Sequence, residues 1–468
     1  MSKCCCGNCT LEVFENSDKC ILHCDKNDWL TISNPADDEY ELGTEVIYYW
    51  DEKKVQKFWN KFKEVIEEKP NLSKEDSYYR FHDFIFPKME QDTFKDYTFN
   101  CDLVFTKNCI FKGNIDFFQT VFNGEVYFND CKIKGKVSFG KSIFKDRFTF
   151  NNMKEIKEVS MRYANFEKKV EFKETHCKNV DFENSTFEKL ADFYNSTFAE
   201  SINFEKTTFR DISVFTNVTF KNDVNFKYTT FEKIGQFKET IFEKTLNLED
   251  SIIKEKINFL KIKTKNNKEL NSCNMVNRET ARIIKDSFEK QNNIIEANKY
   301  YALEMKKREK ELEEDIREGK NFFEWLVFKI HGLSSNHSQD WTLALFWIIN
   351  LTFFYSYLNI QPNDKILVFK IIFSFIAIIL IACMIIKIPK NLERRWLTTI
   401  PTAIVCYVFY GYLVENDWQL SEFSKNLNPF SIMRGDEPIT LGTLIFKIII
   451  AYLIYQLIIS IRQNTRRK

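Results

Sequence analysis

The sequence predicts a β-solenoid of about seven coils, followed by a helical hairpin and a four-helix α-helical transmembrane domain. Three observations carry that prediction. Phe182, Phe187, Phe193, Phe198, Phe204, Phe209, Phe215, Phe220, Phe226, Phe231, Phe237 and Phe242 alternate gaps of five and six residues without a slip. Beyond Phe259 the composition shifts to charged stretches with helical spacing. Four apolar stretches then close the chain, each near the ~20 residues that span hydrocarbon.

Residues 1–30 form a cysteine-rich segment. Cys4, Cys5, Cys6, Cys9, Cys20 and Cys24 lie there, with His23 among them. One parsing takes Cys4, Cys9, Cys20 and His23; another takes Cys6 and Cys9 with Cys20 and either His23 or Cys24. Two short-spaced pairs suit tetrahedral Zn²⁺, which needs four N/S ligands from two knuckles. A segment this small buries too little to fold unaided, so zinc would supply folding energy. A disulfide knot and reactive thiols are the rival readings; the former needs an oxidising compartment.

Residues 31–100 are expected to hold a helix and the solenoid's N-terminal cap. Over 45–69, Val46, Trp50, Val55, Phe58, Trp59, Phe62 and Val65 recur at helical spacing, and the aromatics are expected to pack on the first coil. Residues 83–97 are expected to start the solenoid and cap its open end.

The repeat occupies 101–262. Two gaps make an 11-residue period. A right-handed coiled coil has that period too, but Phe, Thr, Val, Ile and Asn form helices poorly. The residue two before each Phe is small or β-branched, as Ser185, Thr207, Val224 and Thr229 show, which puts both side chains on one face of an extended segment. A chain turning about every five residues in this way is a β-solenoid. Residues 105–259 make about seven coils, a rod of roughly 34 Å at strand spacing. The rhythm falters between Met153 and Tyr163, where a longer loop is expected. Asp181-Phe182, Asn203-Phe204 and Asn225-Phe226 resemble the core of pentapeptide repeat proteins: a central Phe, Asn or Asp before it, and a small residue before that. The resemblance implies a right-handed quadrilateral β-helix. The extra residue in every second unit makes a 22-residue coil, with a bulged corner. The cysteine segment is similar to short zinc-knuckle leaders that precede such repeats.

Residues 275–320 read as a helical hairpin or stalk: Ala281, Ile284 and Phe288 mark one apolar face, and Ala297, Tyr301 and Met305 the other. A similar Glu-Ala…Tyr…Glu pattern, here Glu296-Ala297 through Tyr300 to Glu304, follows the repeats in the membrane-anchored bacterial subgroup of that family.

The transmembrane domain, 341–461, comprises spans 341–358, 366–388, 397–414 and 443–461. Lys390, Arg394 and Arg395 lie between the second and third, and Arg462, Arg466, Arg467 and Lys468 follow the fourth. The intervening outer loops are poor in Lys and Arg, so both termini are expected in the cytoplasm of a bacterial inner membrane. No signal-peptide pattern opens the chain, which agrees, and a reducing cytoplasm favours zinc over disulfides. Lys370 and Lys447 are expected to snorkel; Asn350 and Gln456 are expected to hydrogen-bond between helices.

Residues 101–262 carry 26 Lys/Arg against 24 Asp/Glu. That balance offers neither an acidic DNA-like surface nor a basic stripe for nucleic acid. No phosphate loop, dinucleotide fingerprint, H-E-x-x-H or G-x-S-x-G motif occurs, so no enzyme is expected. The expected function is a membrane-anchored scaffold presenting its solenoid to a cytoplasmic protein partner. The alternative is a channel-like membrane effector gated by the solenoid. A homo-oligomeric state stays open.

Overall fold

The computed structural model describes residues 3–32, 48–67, 78–358 and 400–465, apart from 7–8, 82, 107, 266–268, 272–273, 402, 405, 409, 412–418 and 435–439. It divides into two units, Met1–Asn293 and Ile294–Lys468.

The first unit is built on parallel strand pairs repeating along the chain. Ile202 pairs with Val224, Thr208 with Thr230, Ser213 with Gly235 and Thr219 with Ile241, a constant offset of 22 residues. Four short strands per coil make four faces, and one face stacks nine strands from Tyr78–Phe81 to Ile257–Asn258. Nine strands enclose eight turns, one more than the rhythm predicts. The additional turn is N-terminal, where Ile85 pairs with Ile110 and Thr98 with Val121. Offsets of 25 and 23 residues hide it from a search for alternating fives and sixes.

The phenylalanines stack from coil to coil. Phe182, Phe204 and Phe226 lie with centroids 5.1 and 4.7 Å apart and planes within 5°. Phe193, Phe215 and Phe237 repeat this at 4.8 and 4.6 Å. Neighbouring columns meet edge to face, as between Phe215 and Phe226 at 86°, so quadrupoles are favourably arranged in both directions. All these rings are fully buried.

No longer loop occurs between Met153 and Tyr163. Strand Ile156–Ser160 pairs with Val137–Ser138 on one side and Cys177–Asp181 on the other. Ile156 and Met161 are fully buried in place of phenylalanine. The rhythm falters there because other apolar residues fill the columns.

The two kinds of corner differ. In the five-residue gap, the Thr229 N–H donates to Phe226 C=O at 3.1 Å and Tyr228 has φ +57°, as in a type II turn. Left-handed residues recur at this corner, including Lys141, Asn195, Lys206, Asn217, Glu239 and Asp250. The extra residue sits instead in the open bend of the six-residue gap. Gln119, exposed with φ +58°, is a clean test. Gln119→Asn should stabilise by roughly 0.5 kcal/mol and Gln119→Ile destabilise by about 1–2 kcal/mol, because a left-handed backbone penalises a branched Cβ most. Urea midpoints measure both.

The small residues two before phenylalanine join successive coils. Thr207, Thr229 and Thr240 are fully buried and donate through Oγ1 to Phe182, Phe204 and Phe215 carbonyls at 2.7–2.8 Å. Val218 fills an equivalent position. Thr229→Val therefore preserves shape, and its expected loss of about 1 kcal/mol in urea unfolding isolates the hydrogen bond. Outside, Asn203, Asn225 and Asn247 form an amide ladder with 3.1 and 3.2 Å links.

Both solenoid ends are covered. Helix α1 (Glu52–Glu67) lays Phe58, Trp59 and Phe62 on Phe81, Phe86 and Phe94 at 5.2–6.2 Å. The cap is this helix; residues 83–97 belong to the first coils. Helix α2 (Arg278–Lys290) buries Ala281, Ile284 and Phe288 at the other end. Its Thr280 Oγ1 accepts from Leu248 N–H at 3.0 Å, and Ser287 donates to Ile257 C=O.

The second unit contains α3 (Ile294–Arg317), α4 (Phe322–Ser335), α5 (Trp341–Leu358), α6 (Ser421–Leu427) and α7 (Leu441–Thr465). Lys329 ties α4 to α3 through Glu309 and Glu313. Among the described residues, one helix is long and apolar enough to cross a membrane: Leu441–Gln463, mean hydropathy 2.3. Trp341–Ser356 is apolar but shorter. The predicted second span and Lys370 lie outside the described residues, and the third is described only in part, with helical positions between Ile400 and Gly411.

Gln456 accepts hydrogen bonds from Ser335 and Ser338 at 3.0 and 3.1 Å, and Asn350 accepts from the Cys406 thiol at 3.3 Å. Both link separate helices. Lys447 does not snorkel. Its ammonium donates to the Lys425, Asn426 and Asn428 carbonyls at 2.8–2.9 Å, satisfying the orphan C-terminus of α6 and favoured by its dipole.

Candidate metal centre

Two turns assemble the N-terminal thiols. In the first, Cys9 N–H donates to Cys6 C=O at 3.0 Å; in the second, His23 and Cys24 N–H groups donate to Cys20 C=O at 3.0 and 2.9 Å. Cys4 N–H donates to Leu11 C=O at 2.9 Å and Cys5 N–H to Asp18 C=O at 3.2 Å, drawing the two turns together.

Cys4, Cys9, Cys20 and His23 place one donor atom each within 4.8 Å of all the others. Cys9 and Cys20 sulfurs are 3.7 Å apart, and His23 Nδ1 is 3.6 Å from Cys4 Sγ and 3.0 Å from Cys20 Sγ. A zinc tetrahedron with Zn–S of about 2.3 Å and Zn–N of about 2.0 Å spaces sulfurs by about 3.8 Å and S–N pairs by about 3.5 Å. Two of the three separations match, and the third needs a shift of about half an ångström. Three thiols and an imidazole are a donor set suited to a soft or borderline cation.

The alternative donors are placed differently. Cys24 donates to Ile21 C=O at 3.6 Å and receives the Lys26 ammonium at 3.3 Å. Cys5 faces Asp18, and Cys6 lies outside the quartet, with its thiol against that of Cys4 and its backbone carbonyl in the first turn. The first parsing of the sequence is thus the one the chain assembles.

Burial pushes the Cys20 thiol up to about 12, and burial also raises Cys9. Cys4 runs the other way: burial opposes ionisation, but backbone donors from Cys20 and Cys6 outweigh it and lower its pKa. A bound cation would draw the protons from the raised pair.

Sequence reasoning missed the support around this site. Lys26 is fully buried, its pKa lowered by burial to about 8, with Nζ 4.9 Å from the Trp29 ring centroid and 5.3 Å from that of Phe58. Phe58 belongs to α1, so the cysteine segment and the cap share one aromatic cluster. Lys112 donates to Asp25 and, at 2.6 Å, to Asn27. The His23 ring packs edge-on against Phe84 at 4.5 Å. No spacing rule signals these contacts, because they join residues up to 87 positions apart.

A capped, four-faced parallel solenoid carrying a Cys₃His cluster at its N-terminal end defines a repeat-solenoid protein with a structural metal candidate. Its repeats are pentapeptide repeats: a nine-copy model of that family matches residues 162–208 and 204–252. No curated protein and no solved structure matches the chain.

Proposed function

We propose that this protein is a membrane-anchored scaffold whose pentapeptide-repeat solenoid is a rigid docking surface for a protein partner. One observation carries the reading: a solenoid stiffened by stacked rings, closed at both ends and almost charge-neutral outside, in a chain with no sequence motif for bond chemistry. The mechanism is positional. Parallel coils hold surface side chains at a fixed spacing of about 4.8 Å along the stack. The apolar Leu441–Gln463 helix supports membrane attachment, and the sequence pattern supports further spans with both termini cytoplasmic.

Zn²⁺ fits the N-terminal quartet in this reading. It would be held by Cys4, Cys9, Cys20 and His23 Nδ1 and would supply folding energy rather than catalysis. Its work is to fix the leader onto the first coils.

Affinity purification of the full-length chain from its native membranes tests the scaffold reading. A polypeptide recovered in constant proportion, and lost when surface residues of the solenoid are altered, is expected. Repeated recovery of the chain alone would sink it. Ion flux into liposomes carrying the purified chain would favour the gated-effector alternative.

A further inference from the structure

Helix α4 turns its apolar face outward. Phe322, Phe323, Leu326, Val327, Ile330 and Leu333 are all exposed, Phe323 by 79% and Val327 by 65%. At about 100° per residue they cover an arc of roughly 140°. The two charged side chains of α4 lie outside that arc and are spent on α3. Glu324 pairs with Arg308 at 2.6 Å, and Lys329 reaches Glu309 and Glu313 at 2.8 and 2.7 Å.

Hydrogen bonds fasten the C-terminal end of α4 to α5 and α7. Trp347 Nε1 donates to Leu333 C=O at 2.9 Å, and Ser335 Oγ donates to Gln456 at 3.0 Å. Before that end, a cleft of about 570 Å³ separates α4 from the other two helices, with Val327 and Ile330 on one wall and Trp347, Leu351, Ile448 and Ile449 on the other. The hydroxyls that line it are engaged: Ser334 donates to His331 C=O at 3.1 Å and lies 3.4 Å from the Tyr452 hydroxyl. Ile448 and Ile449 belong to the helix long and apolar enough to cross a membrane. Ile445 and Ile458, also exposed, extend that wall along α7. The outward face of α4 is thus continuous with surface that hydrocarbon would cover.

We propose that α4 lies in the bilayer interface with its apolar face in the lipid, and that a phospholipid acyl chain occupies the cleft between α4 and helices α5 and α7. An amphipathic helix rests in this way at the boundary of headgroups and acyl chains. Helix α3 then lies on the water side and keeps Glu324 and Lys329 out of hydrocarbon. Because α3 neutralises both charges, attachment comes from apolar burial and not from attraction to anionic headgroups. The inference rests on the membrane-anchored reading and adds to it an in-plane contact that holds the α3–α4 hairpin at the surface.

The test uses the full chain in liposomes. Photoreactive benzoylphenylalanine is placed singly at Phe323, Val327 and Ile330, with Ile445 on α7 and the exposed Lys310 on α3 as controls. After irradiation, mass spectrometry should find phospholipid adducts at every position except 310, equally in phosphatidylcholine and phosphatidylglycerol. Adducts at 445 with none on α4 overturn the proposal and leave the anchor standing; adducts at no position sink both. Adducts at 323 and 327 with none at 330 overturn the acyl chain in the cleft. Cross-links from α4 to a second copy of the chain, or adducts confined to phosphatidylglycerol, overturn the proposal as well. A second variant, Phe323→Glu/Val327→Glu, changes two side chains whose exposure would make it near neutral in water, whereas lipid contact makes it costly. Hydrogen exchange over 322–331 should quicken in that variant with α7 unchanged, and exchange equal to the parent's overturns the interfacial placement.

Discussion

Replacing Phe215 by alanine should destabilise the solenoid by about 3–5 kcal/mol. Phe215 stacks between Phe193 and Phe237 and meets Phe204, Phe209 and Phe226 edge-on at 5.5–5.9 Å. Alanine removes contacts in three columns and leaves a void that the backbone cannot close. Inter-coil hydrogen bonds on both sides hold the strands apart, such as Phe215 N–H to Gln236 C=O at 2.7 Å. Phe215→Leu refills part of the volume and should cost about 1–2 kcal/mol. Ile252, more than half exposed in the last coil, should tolerate alanine within about 0.5 kcal/mol. Urea unfolding followed by far-ultraviolet circular dichroism measures all three. Equal midpoints for Phe215→Ala and Ile252→Ala would refute the stacked-column account of stability.

The second large effect concerns the Cys₃His cluster. The purified reduced protein should carry about one equivalent of zinc, and Cys20→Ser well under half. Structural zinc contributes on the order of 10–16 kcal/mol of apparent binding energy in small domains near neutral pH. Loss of one ligand should therefore release residues 3–32 while the solenoid, with its own core, stays folded. Hydrogen exchange would show deprotection confined to the leader and its contacts at Phe84 and Lys112. The pH dependence has a definite sign. Without metal, burial keeps the Cys9 and Cys20 thiols protonated at neutral pH, and their raised pKa values favour the metal-free fold at low pH. Metal binding must expel those protons, so zinc affinity rises with pH and falls as the medium is acidified. Zinc retained equally after dialysis at pH 5 and pH 8 would contradict thiolate ligation.

The columns were legible because, from Phe182 to Phe242, every inward ring position holds the same residue. Ile133 and Cys177 keep the spacing, but Ile156 and Met161, in equivalent positions, become recognisable only once the 22-residue offset is known. The first coil, expected only as a start at residues 83–97, stayed out of the count of seven because loops of variable length lie between its strands. The α1 cap was legible from its 3.6-residue periodicity, whereas the left-handed corners were not, since Asn, Lys, Tyr, Glu and Gln all occupy them. Spacing narrowed the metal ligands to a few parsings. Choosing among them required the turns, which send Cys24 toward Lys26 and leave Cys6 outside the quartet. Lys447 reads as an interfacial cation because its acceptors, the carbonyls of α6, are set by folding and not by residue type.

The constant register between coils has a mechanical consequence. Each regular coil is bonded only to the one before and the one after it, through equivalent hydrogen bonds and ring contacts. Pulled between its ends, such a stack should yield in uniform steps rather than in one rupture. A coil of 22 residues would release about 70 Å of contour length at ~3.3 Å per residue. Strand Lys132–Ile133 ends a sheet of three strands and lacks strand pairing to the following coil, so tension is expected to part the stack there first.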